Sequence, residues 1–368
     1  MDTAVAVIGR GMIGSAAARH LAEAGLSVAL IGPDEPPDRR TSSGPFSSHP
    51  DEGRITRIAG RSELWARVAA SSIERYADIE SRSGIAFHSP GGLVSVFGDA
   101  AEWVARGQLF GSDARLVDPA WGLEETGIAL TNSLPALYEG GPAGYINPRR
   151  LVEAQTHLAA TAGAHVVREP VQALEQTAGG FRVSGDWGFV RAQRVVFATG
   201  AFGSDVLPVT LDLDRRPRTI FMAEIVGIDT DRIPSLILDQ PSDHRLHEIY
   251  WVPPVVYPDG ITRLKIGGNL RDVRPLEAGE LVEWFHGDGS SVEAEALEVT
   301  LRSLLPGAEL INTAQAPCVI TGTPTGHPYI GWVADGVAVA LAGNGSAAKS
   351  SDELGRLAAS LFSDAGWD

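Results

Sequence analysis

The stretch that most constrains this chain lies at its start. Residues 3–36 read TAVAVIGRGMIGSAAARHLAEAGLSVALIGPDEP. A Val/Ile-rich run over residues 4–8 has the character of a strand buried on both faces. Gly9, Gly11 and Gly14 follow as G-x-G-x-x-G. An Ala-rich amphipathic segment then runs to Ala24, Gly25 supplies a helix stop, and SVALIG makes a second strand. The glycines permit a tight turn and let backbone approach a pyrophosphate, while the helix start offers free N–H groups and a positive dipole end. The ordered unit therefore predicts a bound dinucleotide and an α/β fold with a Rossmann-like domain. The acid expected at the end of the second strand, to take the ribose hydroxyls, is replaced by Gly32. Asp34 or Glu35 is the candidate instead, although PDEPPDRR also reads as a solvated turn. The motif alone does not separate NAD from FAD.

At 368 residues the chain exceeds one typical domain and predicts two. With 44% apolar residues it has ample material for a core. Cys318 is the only cysteine, which excludes an internal disulfide and fits a reducing compartment, most simply the cytoplasm. No secretory signal pattern opens the chain, and no apolar run approaches the roughly 20 residues of a membrane span. A formal charge of −16 argues against nucleic-acid or anionic-membrane partners. It leaves room for a local cluster of arginines and lysines that recognises a small anion. His244 and His247, beside Glu248, lack the further ligands a metal site needs, so no metal is expected. Neither G-x-S-x-G nor a P-loop is present.

Beyond the first unit, the segment from Glu63 to Glu80 spaces Leu64, Val68, Ile73 and Ala77 as one helix does. Arg54 and Arg57, three apart, share a face if their segment is helical. From SSHPDEGRITR and ELW onward, the chain resembles the monomeric sarcosine oxidase family of FAD-dependent amine oxidases, within the D-amino-acid-oxidase-type and glycine-oxidase-like flavoproteins. The likeness continues in order through FHSPGGLVSVFG, NPRRLVEAQTHLAATAGAHVV, RVVFATGAFGSDVL, LKIGG, APCVIT and ALAGNGSAAKSSDELG. It covers nearly the whole length.

The resemblance implies FAD as cofactor and assigns residues by matching motif. Arg54 lies against one flavin face, and Arg57 with Lys349 pairs with the substrate carboxylate. Lys265 stands near flavin N5 and assists the reaction with oxygen. Cys318 matches the cysteine bonded to the flavin 8α methyl group. Gly200 falls in the matching strand-end ATGAFG, and Gly343 and Gly345 let backbone approach the cofactor ahead of the helix carrying Lys349. Departures bear on the substrate: His49 is followed by Pro50, and Trp251, Asn269 and Ile320 replace the family's tyrosine, histidine and aromatic. Trp251 and Asn269 thus become candidate substrate-binding residues, with Lys265 and Arg54 as the catalytic ones.

The architecture expected is a discontinuous FAD-binding domain of residues 1–85, 144–212 and 318–368. Residues 86–143 and 213–317 make a substrate domain on a mostly antiparallel sheet that roofs the flavin. The activity implied is oxidation of a secondary-amine amino acid, an N-substituted glycine or related compound. A hydride passes to flavin N5, water hydrolyses the imine, and O2 reoxidises the flavin to give H2O2, with no side chain required as a base. The alternative is an FAD-dependent dehydrogenase with another electron acceptor. The expected partners are small molecules only, an amino acid and O2, on a monomer or small homo-oligomer.

Overall fold

The computed structural model describes residues 1–130, 133–203 and 205–362. Residues 131–132, 204 and 363–368, which fall in the expected domain pieces, lie outside the described residues. Two large sheets and one small one organise the chain. The first runs in the order Ala173–Thr177, Gly180–Gly185, Gly188–Phe197, Asp2–Ile8, Val28–Ile31, His165–Val167. Val337–Leu341 lies parallel to the end of Gly188–Phe197 and pairs with Tyr329–Ala334. The strands Asp2–Ile8, Val28–Ile31 and His165–Val167 run parallel, and Val5 to Ile8 and Val28 to Ile31 are buried, as their unbroken apolar runs require.

Three helices cover one side of this sheet. Met12–Glu23 packs against Pro148–Thr161 and Ala347–Ser360. Contact with the last is intimate: a Cβ on Gly355 would lie 2.5 Å from the Ala16 methyl, so only glycine admits this approach. The seam is tied by a fully buried carboxylate. Asp352 accepts from Arg19 Nη2 at 2.6 Å, Arg75 Nε at 2.5 Å and Gln155 Nε2 at 2.9 Å. His20 lies 3.2 Å from the same carboxylate. Burial alone would raise Asp352, but His20, Arg19 and Arg75 hold it far below the usual carboxylate range.

The second sheet runs Glu309–Gly322, Asp214–Val226, Thr262–Leu270, Leu246–Val256, Ser235–Asp239, Leu93–Val96, Ala136–Glu139, Arg115–Val117. All neighbours are antiparallel except Ser235–Asp239 with Leu93–Val96. Its two faces are chemically distinct. Ile249, Trp251, Leu264 and Ile266 turn to a core completed by Leu297 and Leu301 of helix Ser291–Leu304. Glu248, Tyr250 and Asn269 turn the other way, into a cavity against the first sheet. The two-residue period of strands enforces this division.

Two expectations of local structure are corrected, and one expected domain boundary meets a continuous strand. The segment from Glu63 to Glu80 is two helices, Glu63–Glu74 and Tyr76–Ser83, broken at Arg75, whose guanidinium is drawn to Asp352 and Glu353. Arg54 lies not on a helix but in the short strand Arg54–Thr56, paired with Gly144–Ile146. The boundary expected at residue 318 falls inside Glu309–Gly322, so Cys318 is carried by the antiparallel sheet.

Candidate active site

The glycine turn has the geometry its sequence requires. Gly9 has φ +108°, and a Cβ there would lie 2.4 Å from Ala198 O. A Cβ on Gly14 would lie 1.8 Å from Gly9 O, whereas Gly11 opens onto free space. Gly32, where an acid was expected, is explained by Arg10: a Cβ would come within 2.6 Å of the Arg10 amide. The Arg10 guanidinium donates to Gly32 O at 3.0 Å and to Pro33 O at 3.1 Å, and binds Asp34. Asp34 also pairs with Arg168 at 2.7 Å, and Glu35 with Arg149 at 2.7 Å. Both acids are thus occupied by arginines, and the cavity wall at this point is Gly32 and Pro33.

From this turn a cavity of about 790 Å³ extends between the two sheets to Gly343, Gly345 and Lys349, passing Gly200. Gly200 and Gly345 hold φ of +62° and +74°, and a Cβ on Gly343 would meet the Ala347 methyl at 2.1 Å. Of the five described helices of twelve or more residues, three have side-chain caps, from Ser62, Asn147 and Ser290. Three of the five start at the cavity; of these the helix after Ser62 is capped, and those after Gly11 and Ser346 are not. Their first N–H groups are left for something in the cavity.

Along the middle of the cavity lie Arg54, Cys318, Arg218 and Tyr250. Arg54 Nη2 is 3.8 Å from Cys318 Sγ, and Nη1 is 2.8 Å from Asp51. Behind them Lys265 is fully buried, with Nζ 2.5 Å from Asp51 Oδ2 and donating to Gly53 O. Burial pulls the lysine down to about 8 against the opposing pull of Asp51. Lys265 reaches the cavity only through Asp51 and Arg54. Asp51 lies within the stretch SSHPDEGRITR but was given no role there, since it sits in a loop where no periodicity singles it out.

Trp251 is not at the cavity. It is fully buried in the core behind the sheet, its Nε1 donating to Pro234 O at 2.8 Å. Tyr250 takes the cavity side, across from Gly267, where a Cβ would collide with the phenol ring at 2.5 Å. Alternation in EIYW, with Ile249 and Trp251 on one face, was the available signal. Ile320 lines the cavity, while His49 is buried and kept neutral, burial lowering it to about 4.

At the end nearest Lys349 the charges are unusual. Lys349 is 4% exposed and Arg57 9% exposed, and both line the cavity. Among the described residues neither makes an ion pair: Lys349 Nζ donates to Ser346 O at 3.3 Å, and Arg57 donates to Ala59 O and lies 4.7 Å from the Trp103 ring centre. Burial and the Arg57 charge push Lys349 well below an ordinary lysine; burial likewise lowers Arg57 to about 10. The buried Glu139 acts on both by its charge but accepts from the Ile58 and Ala59 amides rather than from them, so two buried cations are left able to take a ligand carboxylate. Asn269 also lines the cavity, donating to Glu248 Oε1 at 3.2 Å.

A family model described as FAD dependent oxidoreductase matches residues 4–361. The chain belongs to that family. No curated protein sequence matches it. Among solved structures it is similar to NikD, an unusual amino acid oxidase essential for nikkomycin biosynthesis, with TM-score 0.78 and 21% identity over 100% of this chain and 96% of that one. L-proline dehydrogenase from P. horikoshii gives 0.77 and 18%, covering 98% and 93%. Glycine oxidase from Geobacillus kaustophilus gives 0.72 and 20%, covering 100% and 96%. At such identities the likeness establishes the fold, with its parallel sheet and largely antiparallel partner. The cavity fits the family's cofactor on its own terms: a glycine cradle at one end, an uncapped helix start at each end, and arginines along the middle. No described helix is long and apolar enough to cross a membrane.

Proposed function

We propose that this FAD-dependent oxidoreductase oxidises the CH–NH bond of an amino acid with a secondary amine, an N-substituted glycine or a cyclic imino acid. The observation that carries the reading is the pair of buried cations Arg57 and Lys349, neither in an ion pair among the described residues, at one end of the cofactor cavity. The glycines at 9, 11 and 14 with the helix start at Met12 would hold the pyrophosphate, and the junction Gly343–Lys349 the pyrimidine edge of the flavin. Bound FAD supplies the two-electron acceptor for the hydride. Arg57 and Lys349 hold the carboxylate and so fix the carbon that reacts, which is the chief contribution asked of the protein. Tyr250 and Asn269 stand on the sheet face above. No side chain is assigned as a base, because a substrate bound as the free amine needs none.

Cys318 lines the cavity, its Sγ within reach of the Arg54 guanidinium, and this supports covalent attachment of the flavin. Acid precipitation tests it: a yellow pellet is expected, and a yellow supernatant would refute the bond. The functional test is peroxide release over N-alkyl glycines, proline-like acids and glycine. Silence on all of them, with turnover of amines lacking a carboxylate, would overturn the assignment. A second reading, a dehydrogenase with another acceptor, draws support from Lys265, whose ammonium is committed to Asp51 and Gly53. Slow reoxidation by air after anaerobic reduction distinguishes it.

A further inference from the structure

Near the two cations the same cavity is lined by one carboxylate, Glu248, with a second acid beside it on the sheet. Three neighbouring strands present Asp239, Glu248 and Asn269 in register, Asp239 across from Glu248 and Glu248 across from Asn269. Asp239 is pushed up to about 6 by burial and by Glu248, both through its charge and through the hydrogen bond the two carboxyls share. Glu248 lines the cavity with its side chain only 15% exposed. The cation it holds is Arg61, whose side chain is 63% exposed. The substrate end therefore presents both signs of charge, Lys349 and Arg57 together with Glu248.

We propose that Glu248 is a specificity-determining residue that takes a cationic nitrogen of the substrate in the place Arg61 now holds. This deepens the reading above and rests on the carboxylate being held by Arg57 and Lys349. The exchange is asymmetric, and the asymmetry gives its direction. Displacing Arg61 moves an already solvated guanidinium into water, and an exposed pair of this kind contributes little. Turning Arg61 instead toward a second substrate carboxylate would strand Glu248, mostly buried, beside Asp239. A cation therefore satisfies the site and a second anion does not. Asn269 Nδ2 keeps Glu248 Oε1 oriented in either state. The cationic nitrogen has two sources, a distal ammonium or guanidinium, or the amino acid's own α-nitrogen, which arrives protonated and gives its proton to water before the hydride leaves; both present the same chemistry to Glu248.

Isosteric carboxylate pairs read by perturbation of the flavin spectrum in the holoenzyme test the proposal. Betaine against 3,3-dimethylbutanoate places charge at the α-nitrogen; 5-aminopentanoate against hexanoate places it distally. The cationic member of at least one pair is expected to bind about 10- to 100-fold tighter, and the responding pair identifies the source. Glu248→Gln is expected to reduce that preference to near unity while hexanoate binds as before. Arg61→Met is expected to tighten the cationic member by up to about threefold, an effect no structural role of Glu248 would produce. Equal binding within each pair, or a preference for glutarate over both cationic ligands, overturns the proposal and leaves the carboxylate site standing. If no carboxylate binds at all, both readings fall.

Discussion

Two of the buried charges on the helix Ala347–Ser360 lie three residues apart, and they live in opposite circumstances. Asp352 is surrounded by Arg19, Arg75, Gln155 and His20, both of its oxygens engaged. Lys349 shares its end of the cavity with Arg57 and makes no ion pair among the described residues. A protein does not bury a charge without a partner unless the partner arrives from outside. The first region is structure that is complete; the second is complete only with a ligand. The difference locates the substrate carboxylate more firmly than any motif does.

Five changes break or sharpen this contrast. Asp352→Asn leaves cations uncompensated and is expected to cost about 3–5 kcal/mol in denaturant unfolding. Because the folded carboxyl is depressed, its contribution is full above the unfolded value of about 4 and is lost as pH falls below it. The acid limb of the wild-type stability curve is therefore expected to be steeper than that of the variant. Arg57→Met is expected to lower kcat/KM by about 2–4 kcal/mol, roughly 30- to 1000-fold, with little loss of fold.

Lys349→Met should move two readouts in opposite directions. The ligand-free protein is expected to gain stability, on the order of 1 kcal/mol, while carboxylate affinity drops. Lys349 is depressed when free and regains its proton beside a carboxylate. Wild-type affinity is therefore expected to weaken as pH rises, and the variant should lose that part of the slope. A variant that binds carboxylates normally would end the comparison. The smallest effect separates two neighbours: Trp251→Phe is expected to lower stability by about 1–2 kcal/mol with kinetics unchanged, while Tyr250→Phe alters kinetics and leaves stability nearly alone.

What the sequence disclosed follows from the range of the forces involved. The βαβ unit was legible because its glycines answer to contacts within a few residues, Gly14 against Gly9 above all. The pairing of Arg57 with Lys349 came only from the resemblance, since local pattern cannot bring the two ends of a chain together. Trp251 was misplaced because strand phase depends on pairing, and this strand has register shifts on both sides, at Leu246/Glu248 and Val252/Val255. Asp34 was a reasonable ribose ligand until Arg10 and Arg168 were seen to hold it. Asp51 and Glu248 were invisible for a simpler reason: an acid's importance lies in which cations surround it, and those come from distant elements.

The contact of Gly355 with Ala16 has a consequence for the cofactor. The two helices it joins begin at opposite ends of the cavity, one at the glycine turn and the other at Ser346. Backbone pressed against backbone leaves no compressible side chain between them. The spacing of the two anchoring points is therefore set before any ligand arrives, as the jaws of a caliper are locked before a part is measured. A molecule of the wrong length can fill one jaw or the other and never both.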